Sequence, residues 1–531
     1  MNRDPKVEVE LVDVDTPGPA GPGGPGAPGV PPGTDGPAAE PGAGATEPPG
    51  TPPRRVRTRT VVAAAVVLAA ALAGTQAVLD ARERAEVARW AQVPGVVPAL
   101  GDGLEARWEP ELGDVLMMYA GAEVDDLAVG ARFEDSGAQS AVALDPLTGD
   151  VAWRTPLTEP EPLLVDAAEN FQAVPCDATT GDEPLLVCLV GDRYARASVR
   201  PETYGGDTSL PAPVAQEAEL VVLDVATGEV VRRTPATPST GMRVADGTVL
   251  TASSSRDGSA EVSAHDVRTG EVRWEQELPS GTGEREWAES GEPPYLEPVG
   301  DTVLVVLGTA AARFAADGTL LGTVPASALE MGTAILPARG DRVVRQDFGA
   351  AGGEALAVLA PDGTATPLPE GRLLTPTVDD GSEPDVLLLT GAPDAAGGLL
   401  GWDAATGTER WVVEDLLVSD VVVLGGAAYV VGFDRSLRAV ELDDGSTRWR
   451  TDPPPPVPGE DPVTSPTLLT DGRSLVVVGR RGEETGVQAY ALRDGRPTWD
   501  GTLPFEVEGV QPLGGRAVAW SSAADRWTVL G

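Results

Sequence analysis

Gly401-Trp402-Asp403-Ala404-Ala405-Thr406-Gly407-Thr408-Glu409-Arg410-Trp411 is the stretch on which the fold reading turns. An apolar strand runs into Asp-x-x-Thr-Gly, and a second strand returns with Trp four residues after the Gly. A tight reversal needs a residue at φ > 0, which Gly adopts without steric penalty. The Asp carboxylate can accept from backbone N–H groups two or three residues on, and the Thr hydroxyl can act likewise. The Trp then stands at a fixed offset, where its face can cover a neighbouring unit. One such hairpin cannot bury its own apolar side, so copies must stack.

Six copies keep the Gly and the spacing. They run from Leu144-Asp145 through Gly149 to Trp153, from Leu223-Asp224 through Gly228 to Arg232, and from His265-Asp266 through Gly270 to Trp274. The others run from Trp402-Asp403 through Gly407 to Trp411, from Val440-Glu441 through Gly445 to Trp449, and from Tyr490-Ala491 through Gly495 to Trp499. The second carries Arg232 where Trp is expected, and the last two lose the Thr. Ala316-Asp317-Gly318 and Pro361-Asp362-Gly363 stand where two more turns belong. Spacings between landmark glycines from 228 onward are then 42, 48, 45, 44, 38 and 50 residues, the length of a four-stranded propeller blade. The unit before Gly228 is overlong at 79 residues and must carry an insertion.

With its repeated Asp-x-x-Thr-Gly-x-x-x-Trp, strongest at Gly149, Gly270 and Gly407, the chain from about 104 to 531 resembles the pyrroloquinoline-quinone-like (PQQ-like) β-propeller superfamily. That family includes quinone-dependent alcohol dehydrogenases, an outer-membrane assembly lipoprotein and many membrane-tethered propellers. The resemblance implies an all-β fold, and the eight turn landmarks predict an eight-bladed propeller of four-stranded antiparallel blades, with seven blades as the alternative. Leu104-Glu105-Ala106-Arg107-Trp108-Glu109-Pro110 resembles a returning Trp strand without its turn. It can pair with strands between Phe505 and Gly531 and close the ring, removing open edges. Counting that unit as well gives one blade more than the usual limit of eight. One worn unit is therefore expected not to be a separate blade.

Residues 1–53 are dense in Pro and Gly and lack aromatic residues, so they read as a disordered tail. Residues 54–79 combine a basic flank, Arg54-Arg55-Val56-Arg57-Thr58-Arg59, with an uncharged run from Val61 to Leu79. Nineteen helical residues would span about 28 Å, close to the hydrocarbon thickness of a bilayer. The arginines place the N-terminal side in the cytoplasm, so one transmembrane helix is expected, with the propeller extracytoplasmic. Ala71-Leu72-Ala73 would also suit signal peptidase, which leaves a cleaved leader as the alternative. Residues 80–103 read as a stalk: a charged helix ending at Trp90, then Pro94 and Pro98. Net charge is −43, which argues against nucleic acid and anionic membrane surfaces as partners. The abundance of Ala, Gly, Pro and Arg, with Lys6 the only lysine, is that of a GC-rich genome such as an actinobacterial one.

Few constellations could carry chemistry. Past Lys6 there is no amine for a Schiff base, and one histidine, His265, cannot build a multi-histidine zinc site. His265-Asp266 invites a triad reading, but its counterparts Leu144-Asp145 and Leu223-Asp224 favour a structural role. Trp153, Trp274, Trp411, Trp449 and Trp499 read as packing residues, and Asp145, Asp224, Asp266 and Asp403 as turn staples. The quinone enzymes of the resembled family use a disulfide between adjacent cysteines, a catalytic Asp and calcium ligands. Here Cys176 and Cys188 are twelve apart, and no catalytic or calcium position can be matched. No catalytic residue, metal site or cofactor is therefore expected. Outside the cytoplasm the two thiols should oxidise to a disulfide, with free buried thiols as the alternative; closing that loop would stabilise by about 3 kcal/mol.

Binding residues favour loops on rigid scaffolds, which singles out the insertion from Gly191 to Gln216, with Tyr194 and Tyr204. The expected function is a non-catalytic, membrane-tethered scaffold or sensor that binds an envelope protein or extracellular ligand. The rival is an extracytoplasmic enzyme, quinone-dependent or hydrolytic.

Overall fold

A computed structural model describes residues 81–531, apart from 83, 102, 166–171, 197–212, 239, 256, 280–292, 326–332, 349–353, 392–396, 434, 452–465, 482–483 and 522–525. The expected tail and the run from Val61 to Leu79 lie outside the described residues. Among the described residues, no helix is long and apolar enough to cross a membrane, so the expected transmembrane helix has no counterpart there.

The described chain forms nine sheets, not the eight expected from the turn landmarks nor the alternative seven. Blades 1 to 8 cover residues 122–156, 176–236, 240–278, 295–324, 333–367, 372–414, 418–451 and 467–503. Blade 9 joins three C-terminal strands within 509–530 to Ala106–Trp108 as its outer strand. Both worn units are complete blades, because Gly318 (φ +85) and Gly363 (φ +84) reverse the chain without the Thr or the Trp. The eighth landmark turn belongs to blade 8, and the closing unit adds a ninth. The closure itself matches the expectation: Ala106 pairs with Leu530, and Trp108 with Val529.

Outer strands are laid on the turn between the third and fourth strands (the C–D turn) of the next blade. Trp108 donates its indole N–H to the Pro146 carbonyl (3.0 Å), Trp153 to Val225 (2.7 Å) and Trp274 to Ala316 (2.9 Å). Trp411 donates to Leu442 (2.8 Å) and Trp449 to Leu492 (2.9 Å). The ring lies flat on the turn glycine: a Cβ added at Gly445 would stand 2.6 Å from Trp411 Cγ. Glycine is thus required there for close approach as well as for its φ of +73. The turn is held from inside by its Asp. Asp403 Oδ1 accepts from the Ala405 N–H (3.0 Å) and the Thr406 N–H (2.7 Å).

Two inner-strand aspartates also link neighbouring blades. Asp177 accepts from the N–H of Ala178, the next residue of its own strand, and, across the joint, from Val244 N–H (2.8 Å). Asp420 does the same with Val421 and Leu468 N–H, each at 2.8 Å. Cys176 and Cys188 form a disulfide between directly opposed residues of the first two strands of blade 2.

Three segments depart from the plain repeat. Helix α1 (Leu112–Ala120), absent from the sequence reading, buries Val115, Met117 and Met118 in a core shared by blades 9 and 1. Residues 84–90 are helical, and the chain beyond them is docked on the ring. Val96 packs between blades 7 and 8, and Val97 and Leu100 between blades 8 and 9. The chain also leaves blade 6 after Arg372–Leu373, pairs Val378–Asp379 in parallel with Val422 and Val423 of blade 7, and returns at Val386–Thr390. Arg339, 7% exposed, anchors that crossover through Asp379 (2.6 Å), the Ser382 carbonyl (2.6 Å) and the Val386 carbonyl (2.8 Å).

Candidate functional site

The joint between blades 2 and 3 is built differently from its neighbours. At the docking position of blade 2 stands Arg232, whose Nη2 donates to the Val267 carbonyl (3.1 Å), the bond an indole N–H makes elsewhere. Its Nη1 donates to Thr234 Oγ1 (2.5 Å). A thin side chain covers less than an indole, and a cleft of about 370 Å³ remains at this joint. Another joint without Trp shows the contrast. Where Gly322 faces blade 5, the backbones close up, and a Cβ there would stand 2.3 Å from the Asp362 carbonyl carbon. The void left at that joint is only about 10 Å³.

The opposite wall is the face that blade 3 turns toward blade 2. Alternate residues of Thr248–Ser254 and Ala260–Asp266 point one way, as strand geometry requires, and place Thr251 opposite Ser263, and Ser253 opposite Glu261. At the register of Thr251 and Ser263, blade 2 carries Cys188 with Val221, and blade 6 carries Leu389 with Leu400. In blade 3 the same positions form a hydroxyl row: Thr251 Oγ1 to Ser263 Oγ at 2.8 Å, and Ser263 Oγ to His265 Nε2 at 2.8 Å. Glu275 lies opposite Ser263 on the outer strand. Leu220, Val249 and Pro235 supply apolar wall.

Asp266 does not join this row. It accepts from the Thr269 N–H (2.9 Å) and Oγ1, the Arg268 N–H, and Arg273 Nη2 (2.9 Å). The Thr269 backbone bond, followed by the Arg273 bond, holds its carboxyl down at about 2. Asp266 is thus engaged in its own turn rather than paired with His265. Asp145, Asp224 and Asp403 staple their turns in the same way. Gly149, Gly228, Gly270 and Gly495 carry Trp108, Trp153, Arg232 and Trp449 respectively, while Gly407 meets only Thr366. Trp499 is half-buried between blades 8 and 9.

The insertion rises beside the cleft. Leu185–Arg196 and Pro213–Asp224 form twelve-residue arms, and blade 2's outer strand stops at Ala236, opposite Ala218. Tyr194 lies on the first arm, while residues 197–212, Tyr204 among them, fall outside the described chain. The arms, Thr237 and Ser253 lie on the side of the ring away from the C–D turns, because successive strands alternate in direction.

A second polar group lines the inner strands of blades 2 to 4. Arg243 meets Glu297 (3.0 Å) and Asp177 (3.8 Å), and Tyr295 donates to Glu297 (2.8 Å). Partial burial, then the bond to Glu297, pushes the Tyr295 hydroxyl up to about 12. A quinone with its calcium needs several converging oxygen ligands. Here Asp177 and Glu297 are engaged by Arg243, and among the described residues no three His, Cys, Asp or Glu side chains are grouped to hold a metal ion. The residues present do not fit that group.

Of the site residues, sequence reading found His265 and Arg232 but assigned neither to a cleft, and it missed Thr251, Ser263, Glu261 and Glu275. The available signal was Thr251, Ser253, Glu261, Ser263 and His265 at alternate positions of two consecutive strands.

A family model described as outer membrane protein assembly factor BamB matches residues 106–375 and 333–520. Among solved structures, BamB from Moraxella catarrhalis is 19% identical over 64% of this chain and 97% of its own, with a TM-score of 0.31. A europium-containing methanol dehydrogenase is 12% identical over 76% of this chain and 91% of its own, at 0.32. The computationally designed Ika8 protein is 14% identical over 66% and 94%, at 0.34. No curated protein sequence matches the chain.

Proposed function

Given that this chain belongs to the PQQ-like β-propeller family of the outer membrane protein assembly factor BamB, we propose that it is a non-catalytic binding propeller displayed outside the cytoplasm. It is tethered through the uncharged run from Val61 to Leu79 and engages an envelope protein or an extracellular ligand. The observation that carries this reading is the coincidence, on one blade pair, of an open polar cleft with the long arms of the insertion. Rigid sheets with an elaborated edge are how scaffolds present binding loops. The basic flank before the uncharged run supports the orientation.

The test is cross-linking on intact envelopes with wild type and a variant in which 192–216 is replaced by a short turn. Adducts present in the first and lost in the second support the proposal, provided both proteins melt at similar temperatures. Adding quinone and calcium provides the opposing measurement: a new absorbance band with dye reduction would make the protein an enzyme. A mature N-terminus near Gly74 would replace the tether by secretion.

A further inference from the structure

Both walls of the blade 2–blade 3 joint depart from the repeat, and they depart together. One wall has lost its indole to Arg232, and the other carries Thr251, Ser263 and His265 where blade 6 carries Leu389, Leu400 and Trp402. Either change alone would leave a packing defect. Together they make a cleft of about 370 Å³, within the range of small-molecule sites, roughly 300–1,000 Å³. Resting on the reading of this propeller as a binding module, we infer that the cleft is a saccharide subsite, taking an uncharged sugar ring of a glycan.

The charge arrangement selects the class. Arg232 stands on one wall, with Glu261 and Glu275 on the other, and neither carboxylate is held in an ion pair among the described residues. An anion entering the cleft meets two carboxylates, which oppose it at short range, while the guanidinium offsets part of the pull those carboxylates exert on a cation. The protein's charge of −43 further disfavours an acidic glycan. A neutral polyol is opposed by neither. Its hydroxyls can donate to Glu261 and Glu275 and exchange bonds with the hydroxyl row, in which Ser and Thr rotate to donate or accept. Leu220, Val249 and Pro235 offer an apolar strip to the C–H face of a pyranose. Hydroxyl row, carboxylates and apolar strip are thus gathered on one cleft.

The experiment uses the full chain in a detergent without a sugar headgroup. Trehalose, maltose and chitobiose are titrated by calorimetry and saturation-transfer NMR, with putrescine and inorganic phosphate as counter-probes. The expected result is binding of at least one disaccharide, weakened about tenfold by Glu275→Gln through loss of a charged acceptor. Arg232→Trp restores the docking ring, fills the cleft, and should abolish binding while leaving the unfolding midpoint equal or higher. Glu275 is exposed, so its variant reads binding without a change of fold. Absence of binding by all three sugars, or sugar binding unchanged in Arg232→Trp, overturns the inference. Binding of putrescine or phosphate in place of sugar also overturns it, yet leaves a binding module intact. The envelope cross-linking experiment tests the module independently.

Discussion

Trp411 shows what one residue contributes to the ring. It is 7% exposed, donates to Leu442 and lies flat on Gly445. Trp411→Ala should cost about 3–5 kcal/mol, the usual range for removing a buried ring. Trp274→Ala should cost less, because that ring is only half-buried; urea midpoints of the two variants compare them. Asp266 gives a pH-dependent test. Its carboxyl is held at about 2 when folded, against about 3.9 in an unfolded chain. The stabilisation is therefore full above about pH 4 and is lost as pH falls through about 2. The melting temperature of Asp266→Asn should lie below wild type near neutrality, and the gap should close in acid. These residues were legible because each sits at a fixed offset from a turn glycine. The cleft residues were not, since Thr251 and Ser263 become one row only when two strands are in register.

Among the elements, the crossover between blades 6 and 7 is held from blade 5 by Arg339, with Arg342 on Asp385 at its edge. Arg339 reaches Asp379, Ser382 and Val386 from the turn after its own inner strand. Arg339→Ala leaves Asp379 with the Gly381 N–H but without its ionic partner in a mostly buried site, and should cost about 3 kcal/mol. Hydrogen exchange should rise first at Val378 and Asp379, whose strand pairs only with blade 7. Nothing local announces this device: Arg339 lies forty positions from Asp379, and no motif links them. Helix α1 was missed for a different reason. Nine residues are too short to show a helical period, and its Met pair is ordered by the two blades it lies between. The worn turns at Gly318 and Gly363 were found from their Asp-Gly pairs and spacing, which sufficed because the Asp still accepts from the Thr319 or Thr364 N–H and the glycine reverses the chain.

At the scale of the whole molecule, the blade number shows where a general limit misled. Each of the nine units could be counted from sequence, and weight given to the usual maximum of eight removed one that exists. The local chemistry was the better guide, because an Asp-Gly reversal between two apolar strands makes a hairpin whatever the total. Closure depends on Ala106–Trp108, which supplies both the outer strand of blade 9 and the indole laid on Gly149. A protein starting at residue 111 should leave blade 9 with an open edge and lose blade 1's covering ring. Light scattering should then report aggregation at concentrations where the full chain stays monodisperse. The same join constrains synthesis. Arg107 bonds to Gly531 across 424 positions, so a nascent chain emerging from its N-terminus must hold that strand unmatched while eight blades are made. Slow, non-local pairing of this kind exposes intermediates to aggregation, so maturation should call on a holding chaperone and proceed in one late, concerted locking step.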